Sequence, residues 1–137
     1  MPAAIGRATA LQDKVSRRQI SRKIAETWGE RTTVERAIQR LFRTLIEWGI
    51  LTPDGSSDTF AIAAVQTIYE PQLALWLAEA VLHAHGSAIP YASLIQAPEI
   101  FPFRLNLQIS DLTRSGRFET FREGSELLIG VRLLAMV

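Results

Sequence analysis

Apolar positions recur at helical spacing along the first third of the chain. In "SRRQISRKIAETWGE", Ile20, Ile24 and Trp28 fall on one helix face. Ser16 and Gln19 have the spacing of a capping box, in which each side chain satisfies a free backbone donor of the other. Gly29 is a left-handed stop. These signals predict a helix over 16–28. The tight turn "GERT" follows, and then a second capping box at Thr32 and Glu35. Val34, Ile38, Leu41, Leu45 and Trp48 continue as one apolar face of a long helix, ended by Gly49. "ILTPDGSSDTFAI" predicts strand, polar turn and strand, with Pro53 and Gly55 in the hairpin tip. Residues 1–14 are weakly patterned and fit either a short helix around Arg7 to Gln12 or a flexible arm.

After "AAVQTIYEP" the order of elements starts again. "PQLALWLAEAVLHAHG" predicts a helix from Pro71 to Gly86, apolar on most of its circumference. "IPYASLIQA" is a candidate short helix, and Pro98 and Pro102 bracket a turn. "FRLNLQISDLTRSG" carries Leu105, Ile109 and Leu112 on one face and ends at Gly116. "RFETFREGSELLIGV" is a hairpin turning at Glu123 to Ser125. Both halves thus run helix, turn, helix, hairpin, without a repeat of residue identities. The abrupt apolar end, "LLIGVRLLAMV", predicts either missing residues, in a fragment of a longer protein, or a covered terminal strand.

Composition narrows the class. The chain has 137 residues, 47% hydrophobic and 21% charged, which suits one domain or two small ones and does not suit disorder. With no cysteine, disulfides and thiolate metal sites are excluded. No apolar stretch is long enough to span a bilayer, and "MPAAIGRATA" lacks a signal-peptide core. A soluble cytoplasmic protein without membrane partners is expected. Net charge is +1, but residues 1–50 carry +5 and residues 51–137 carry −4. That asymmetry points to an anionic partner for the first half.

The stretch "ISRKIAETWGERTTVERAIQRLFRTLIEWGIL", within residues 16–62, resembles the winged-helix version of the helix-turn-helix superfamily. It has a positioning helix, a glycine-containing turn, a recognition helix and a small-residue exit into a wing. Residues 71–134 resemble a second such unit, chiefly through the "RSGRF…REGSELLIG" ending. The resemblance implies a mainly α fold with small β-hairpin wings, a tandem winged helix. It divides into a unit with a basic recognition helix at 1–66 and a second unit at 67–137 packed against it. One departure is the poor first helix within residues 1–14.

On the 32–48 helix, Arg36, Arg40 and Arg43 cluster on the side away from the apolar stripe. Arg43 has Glu47 four residues on, while Arg36 and Arg40 are like charges at i, i+4. In the winged-helix family the equivalent helix enters the DNA major groove. By that resemblance Thr33, Arg36, Gln39 and Arg40 are base-edge candidates, and Arg43 sits nearer the backbone. Arg17, Arg18, Arg22 and Lys23 are phosphate candidates, as is Thr32 with the free N–H groups of a helix start. The expected function is double-stranded DNA binding, as a transcriptional regulator or accessory subunit. Asp54 and Asp58 in the first wing oppose a phosphate contact. The second unit offers only Arg104, Gln108, Asp111 and Arg114, which suits support, a homodimer or a protein partner. The alternative function is a winged-helix protein-interaction module in a larger assembly, without direct DNA binding.

No catalytic constellation is present, and neither an enzyme nor a cofactor is expected. His83 and His85, two apart on a helix, do not chelate. The serines of "GSSD" have no histidine beside them. Trp28, Trp48 and Trp76 sit on apolar faces and are expected in the core. Phe101 and Phe103 fit a core turn better than an exposed hook.

Overall fold

The computed structural model describes residues 2–133. It is about 51% helical and 23% strand, a mixed α/β chain. By its internal contacts the chain divides into two compact units, residues 1–66 and 67–137.

In the first unit, α1 (Pro2–Leu11) buries Ala4 and Ile5. The weakly patterned N-terminus is therefore a helix, and it starts before the expected Arg7. Its anchors are consecutive residues, so no helical period was readable there. β1 (Lys14–Ser16) follows, a strand too short to show alternation. α2 (Arg17–Trp28) begins at Ser16, whose Oγ accepts from the Gln19 N–H at 3.5 Å. Gly29 ends it with φ 75° and ψ 168°, a positive φ but an extended ψ instead of the expected left-handed cap.

α3 (Thr32–Glu47) departs from the expected capping box. Arg31 holds the extended N-cap position, and Thr32 is already helical, so its hydroxyl caps nothing. The buried stripe also differs. Ile38, Phe42 and Leu45 are fully covered, Val34 and Leu41 are half-buried, and Trp48 is exposed. The helix is rotated toward Phe42 because a tilted contact with Phe60, ring centroids 5.3 Å apart, draws it in.

Phe60 comes from the hairpin of β2 (Leu51–Asp54) and β3 (Ser56–Ile62). Gly55, at φ 78°, makes the turn. Pro53 lies in the ladder opposite Phe60, not in the tip, a place open to proline because β2 is an edge strand. β1 pairs antiparallel with β3, setting buried Val15 opposite Phe60, in a sheet of order β1-β3-β2.

In the second unit, β4 (Gln66–Ile68) leads to α4 (Pro71–His85). The Glu70 carboxylate accepts from the N–H groups of Gln72 and Leu73, and Gly86 closes the helix in a left-handed cap. Ala74, Leu75, Ala78, Val81 and Leu82 of α4 join one core with Leu94, Leu107, Leu112, Phe118 and Ile129. β5 (Ile89–Pro90) and α5 (Tyr91–Ile95) follow, then a 3-10 turn at Pro98–Ile100. β6 (Phe103–Leu105) pairs with β4. Leu105 is therefore a buried strand residue, and α6 (Ile109–Ser115) buries Leu112 but leaves Ile109 exposed. The three did not share one helix face because the helix starts only after Gln108, where the Asp111 carboxylate accepts the Gln108 N–H. Phe101 is half-buried, while Phe103 lies at the exposed margin. β7 (Phe118–Glu123) and β8 (Glu126–Val131) turn at Gly124 and form a sheet of order β5-β8-β7. The expectation for the apolar chain end falls in part on residues 134–137, which lie outside the described residues.

The first unit runs helix, strand, helix, helix and hairpin, with sheet order β1-β3-β2. From α4 to β8 the second unit follows the same order with sheet order β5-β8-β7, with the 3-10 turn and β6 inserted between α5 and α6 and β6 paired to β4. No helix among the described residues is long and apolar enough to cross a membrane.

The rotation of α3 is testable. Phe42→Ala is expected to cost about 3–5 kcal/mol in urea denaturation. Trp48→Ala, at an exposed position, is expected to change stability by less than about 0.5 kcal/mol.

Candidate nucleic-acid interface

Two helices carry the candidate residues, and their buried faces decide which ones reach outward. On α3, Ile38, Phe42 and Leu45 point inward. Stepping about 100° per residue, Arg36, Arg40 and Arg43 fall within an arc of about 60° on the opposite side. All three arginines are exposed, as are Thr32, Thr33 and Gln39. On α2, Ile20 and Ile24 point inward, and Arg18, Arg22 and Lys23 are exposed. Arg18 and Arg22 share the outward side, whereas Lys23 is turned about 100° from Arg22.

The arginines of α3 differ in partner. Arg43 donates from Nε to Glu47 at 3.0 Å. Both side chains are well exposed, so the pair is worth only a few tenths of a kcal/mol, about 0.3–0.5. Arg36 and Arg40 have no carboxylate within ion-pair distance among the described residues. They remain like charges one turn apart.

Arg22 and Thr32 meet at an open groove of about 500 Å³ between α2 and the start of α3. Ala25, Val34 and Ile38 supply apolar lining, and Glu30, Arg31 and Glu35 add mixed charge. No side chain caps the start of α3, so its first N–H groups retain their donor capacity.

Arg17 stands apart from the other basic candidates. It is half-buried, and its guanidinium lies over the rings of Phe42 and Phe60, 5.5 and 5.3 Å from their centroids. Its Nε is buried without a hydrogen-bond partner. A cation on two ring faces is held by their quadrupoles and covers apolar carbon from water. The side chain expected on a phosphate is thus engaged in the core of its own unit. Counting charges along the sequence had no means of separating it from Arg18.

The acids of the first hairpin are not isolated. The Asp54 carboxylate pairs with Lys14 Nζ at 2.8 Å, and Asp58 accepts from Ser16 Oγ at 2.6 Å. Both partners belong to β1, the strand that periodicity missed. The hydrogen bond to Asp54, reinforced by its charge, raises the Lys14 pKa above its usual 10.5. With the folded value above the unfolded one, the pair's contribution is complete below 10.5 and is lost as pH rises through the raised value. The pairing therefore persists through the neutral range.

The three tryptophans expected in the core are all exposed: Trp28 by 64%, Trp48 by 66% and Trp76 by 61%. Trp28 and Trp48 lie at helix ends, where the chain leaves the packed face. Trp76 lies on the one side of α4 that the second unit's core does not cover. The histidines go to separate carboxylates, His83 to Glu79 at 3.6 Å and His85 to Glu99 at 3.1 Å. Arg104 is in β6, and Gln108 and Asp111 serve the start of α6, leaving Arg114 on that helix.

Arg17→Gln is expected to destabilise the first unit by about 1 kcal/mol in chemical denaturation, through loss of the ring contacts. Arg36→Ala/Arg40→Ala is expected to leave stability unchanged within about 0.5 kcal/mol. Comparison of the chain with protein-family models, with curated proteins and with solved structures returns no match.

Proposed function

We propose that the first unit is a winged helix that binds double-stranded DNA, with α3 as recognition helix in the major groove, in a tandem winged-helix protein acting as a regulator or accessory subunit. One observation carries this reading. α3 holds an exposed arginine face opposite its buried stripe, and two of its three arginines lack an acidic partner among the described residues. Leaving like charges side by side costs a few tenths of a kcal/mol, about 0.2–0.5, and an external polyanion removes that cost. The β2–β3 hairpin that follows α3 is compatible with a wing. Lys14 also weakens the objection raised by the acidic wing, because its ammonium pairs with Asp54, whereas Asp58 keeps its charge beside the neutral Ser16. In this reading Thr33, Arg36, Gln39 and Arg40 face base edges. Arg18, Arg22, Thr32 and Arg43 hold phosphates, and Arg17 steadies the unit.

A second reading, a protein-interaction module in a larger assembly, is favoured by a different observation. Leu73 and Trp76, three residues apart near the start of α4, are exposed, and so is Tyr69 in the segment just before the helix. Exposed large apolar side chains close together in the chain suit contact with another protein surface. The second reading requires no direct DNA contact by α3.

The test is anisotropy titration of a labelled random-sequence duplex across a salt series, with the wild type beside Arg36→Ala/Arg40→Ala/Arg43→Ala. Each lost phosphate contact is expected to flatten the log–log salt slope by roughly one unit. Unchanged binding by the variant moves the contact off α3. No binding at low salt refutes the DNA reading and leaves the protein-interaction reading.

A further inference from the structure

We propose that a second copy of this chain docks on β7, edge to edge and antiparallel across a two-fold axis, with Thr120 opposite Thr120 of the other copy. The proposal does not depend on the DNA reading. β7 is an outer strand of its sheet, paired with β8 on one side only. Its register to β8 runs from Phe118 to Glu123 without a bulge, it contains no proline, and Glu119 to Glu123 are exposed. The other edges are poorer. β5 has two residues, one of them Pro90, and β2 carries Pro53. Proteins commonly blunt a free edge with a bulge, a proline or charge. β7 carries only charge, and its charges select the partner.

The Arg132 N–H donates to the Arg117 carbonyl at 2.8 Å. Arg117 and every second residue after it therefore bond to β8. Phe118, Thr120 and Arg122 turn their N–H and C=O groups to the open edge. In a two-fold pair that continues the sheet, residues of one face oppose residues of the same face. Centring the pair on Glu119 sets that carboxylate opposite itself. Centring it on Phe121 sets Glu119 opposite Glu123, and centring it on Arg122 sets that guanidinium opposite itself. Like charges directly opposite are destabilising. Centred on Thr120, the pair has none: Arg117 meets Glu123, Arg122 meets Phe118, and Glu119 meets Phe121. Glu123 gains most, because within its own hairpin it stands opposite Glu126 and has no cation partner among the described residues. Arg117 is available, since Glu79 holds it only at 3.7 Å. The pairing uses both free edges and closes on itself, so it stops at a dimer.

The experiment is sedimentation equilibrium of the full chain without nucleic acid, over a range of concentrations. Wild type is expected to show a monomer–dimer equilibrium. Thr120→Pro removes the central N–H donors and spares the bonds to β8, so it is expected to raise the dimer Kd at least tenfold with an unchanged circular dichroism spectrum. Glu123→Arg is expected to weaken the dimer several-fold, and Arg117→Glu/Glu123→Arg to restore it. The chain has no cysteine, which allows a test of register. Cα atoms of a hydrogen-bonded antiparallel pair lie about 5.5 Å apart, within disulfide reach. Thr120→Cys is therefore expected to oxidise to a covalent dimer. Phe121→Cys is expected not to, because the two copies of that residue are diagonal neighbours, about 7–8 Å apart. The cysteine pair decides the question if Thr120→Pro alters the spectrum. A monomer at every concentration overturns the proposal. So does a dimer indifferent to Thr120→Pro, a cross-link at position 121 in place of 120, or a double charge reversal that fails to restore the dimer.

Discussion

The contact between Phe42 and Phe60 controls the outward face of the first unit. One ring comes from α3 and the other from β3, and the Arg17 guanidinium at the start of α2 lies over both. A helix has one rotational freedom about its own axis once its ends are placed. Burying Phe42 removes that freedom, and the arginines then have only the opposite side to occupy. The candidate interface is thus set by an aromatic contact on the far side of the helix. Arg17 illustrates the same coupling, a cation whose place in the core outweighs its charge.

A second constraint acts on the hairpin. Asp54 and Asp58 look, along the sequence, like free negative charges in a wing. In three dimensions β1 runs beside β3 and brings Lys14 and Ser16 to them. Ser16 also starts α2 through the Gln19 N–H. One short strand therefore links the hairpin to the first turn of a helix. Its three residues carry no period of their own, and they form a strand because β3 offers an unpaired edge.

The second unit shows how far a helix can be apolar without being covered. α4 buries one broad side around Ala78 and Leu82, yet Leu73 and Trp76 remain in solvent. Apolar residues are common on protein surfaces, so apolarity alone did not tell which flank of the helix met the core. The tryptophans of the first unit followed the same rule at helix ends.

What the sequence by itself determined is the local grammar: the long helices, their glycine stops, both hairpins and the arginine side of α3. These follow from spacing and backbone preference, which act within a few residues. The tertiary structure alone decided the rest: that residues 2–11 form a helix, that β1 exists, that Phe42 replaces Trp48 in the stripe, that Arg17 turns inward, and that Lys14 and Ser16 hold the hairpin acids. Each of these depends on a partner far along the chain. A short strand is defined by the strand it pairs with, and a ring or a cation by the surface it covers. Neither partner is present in the local pattern.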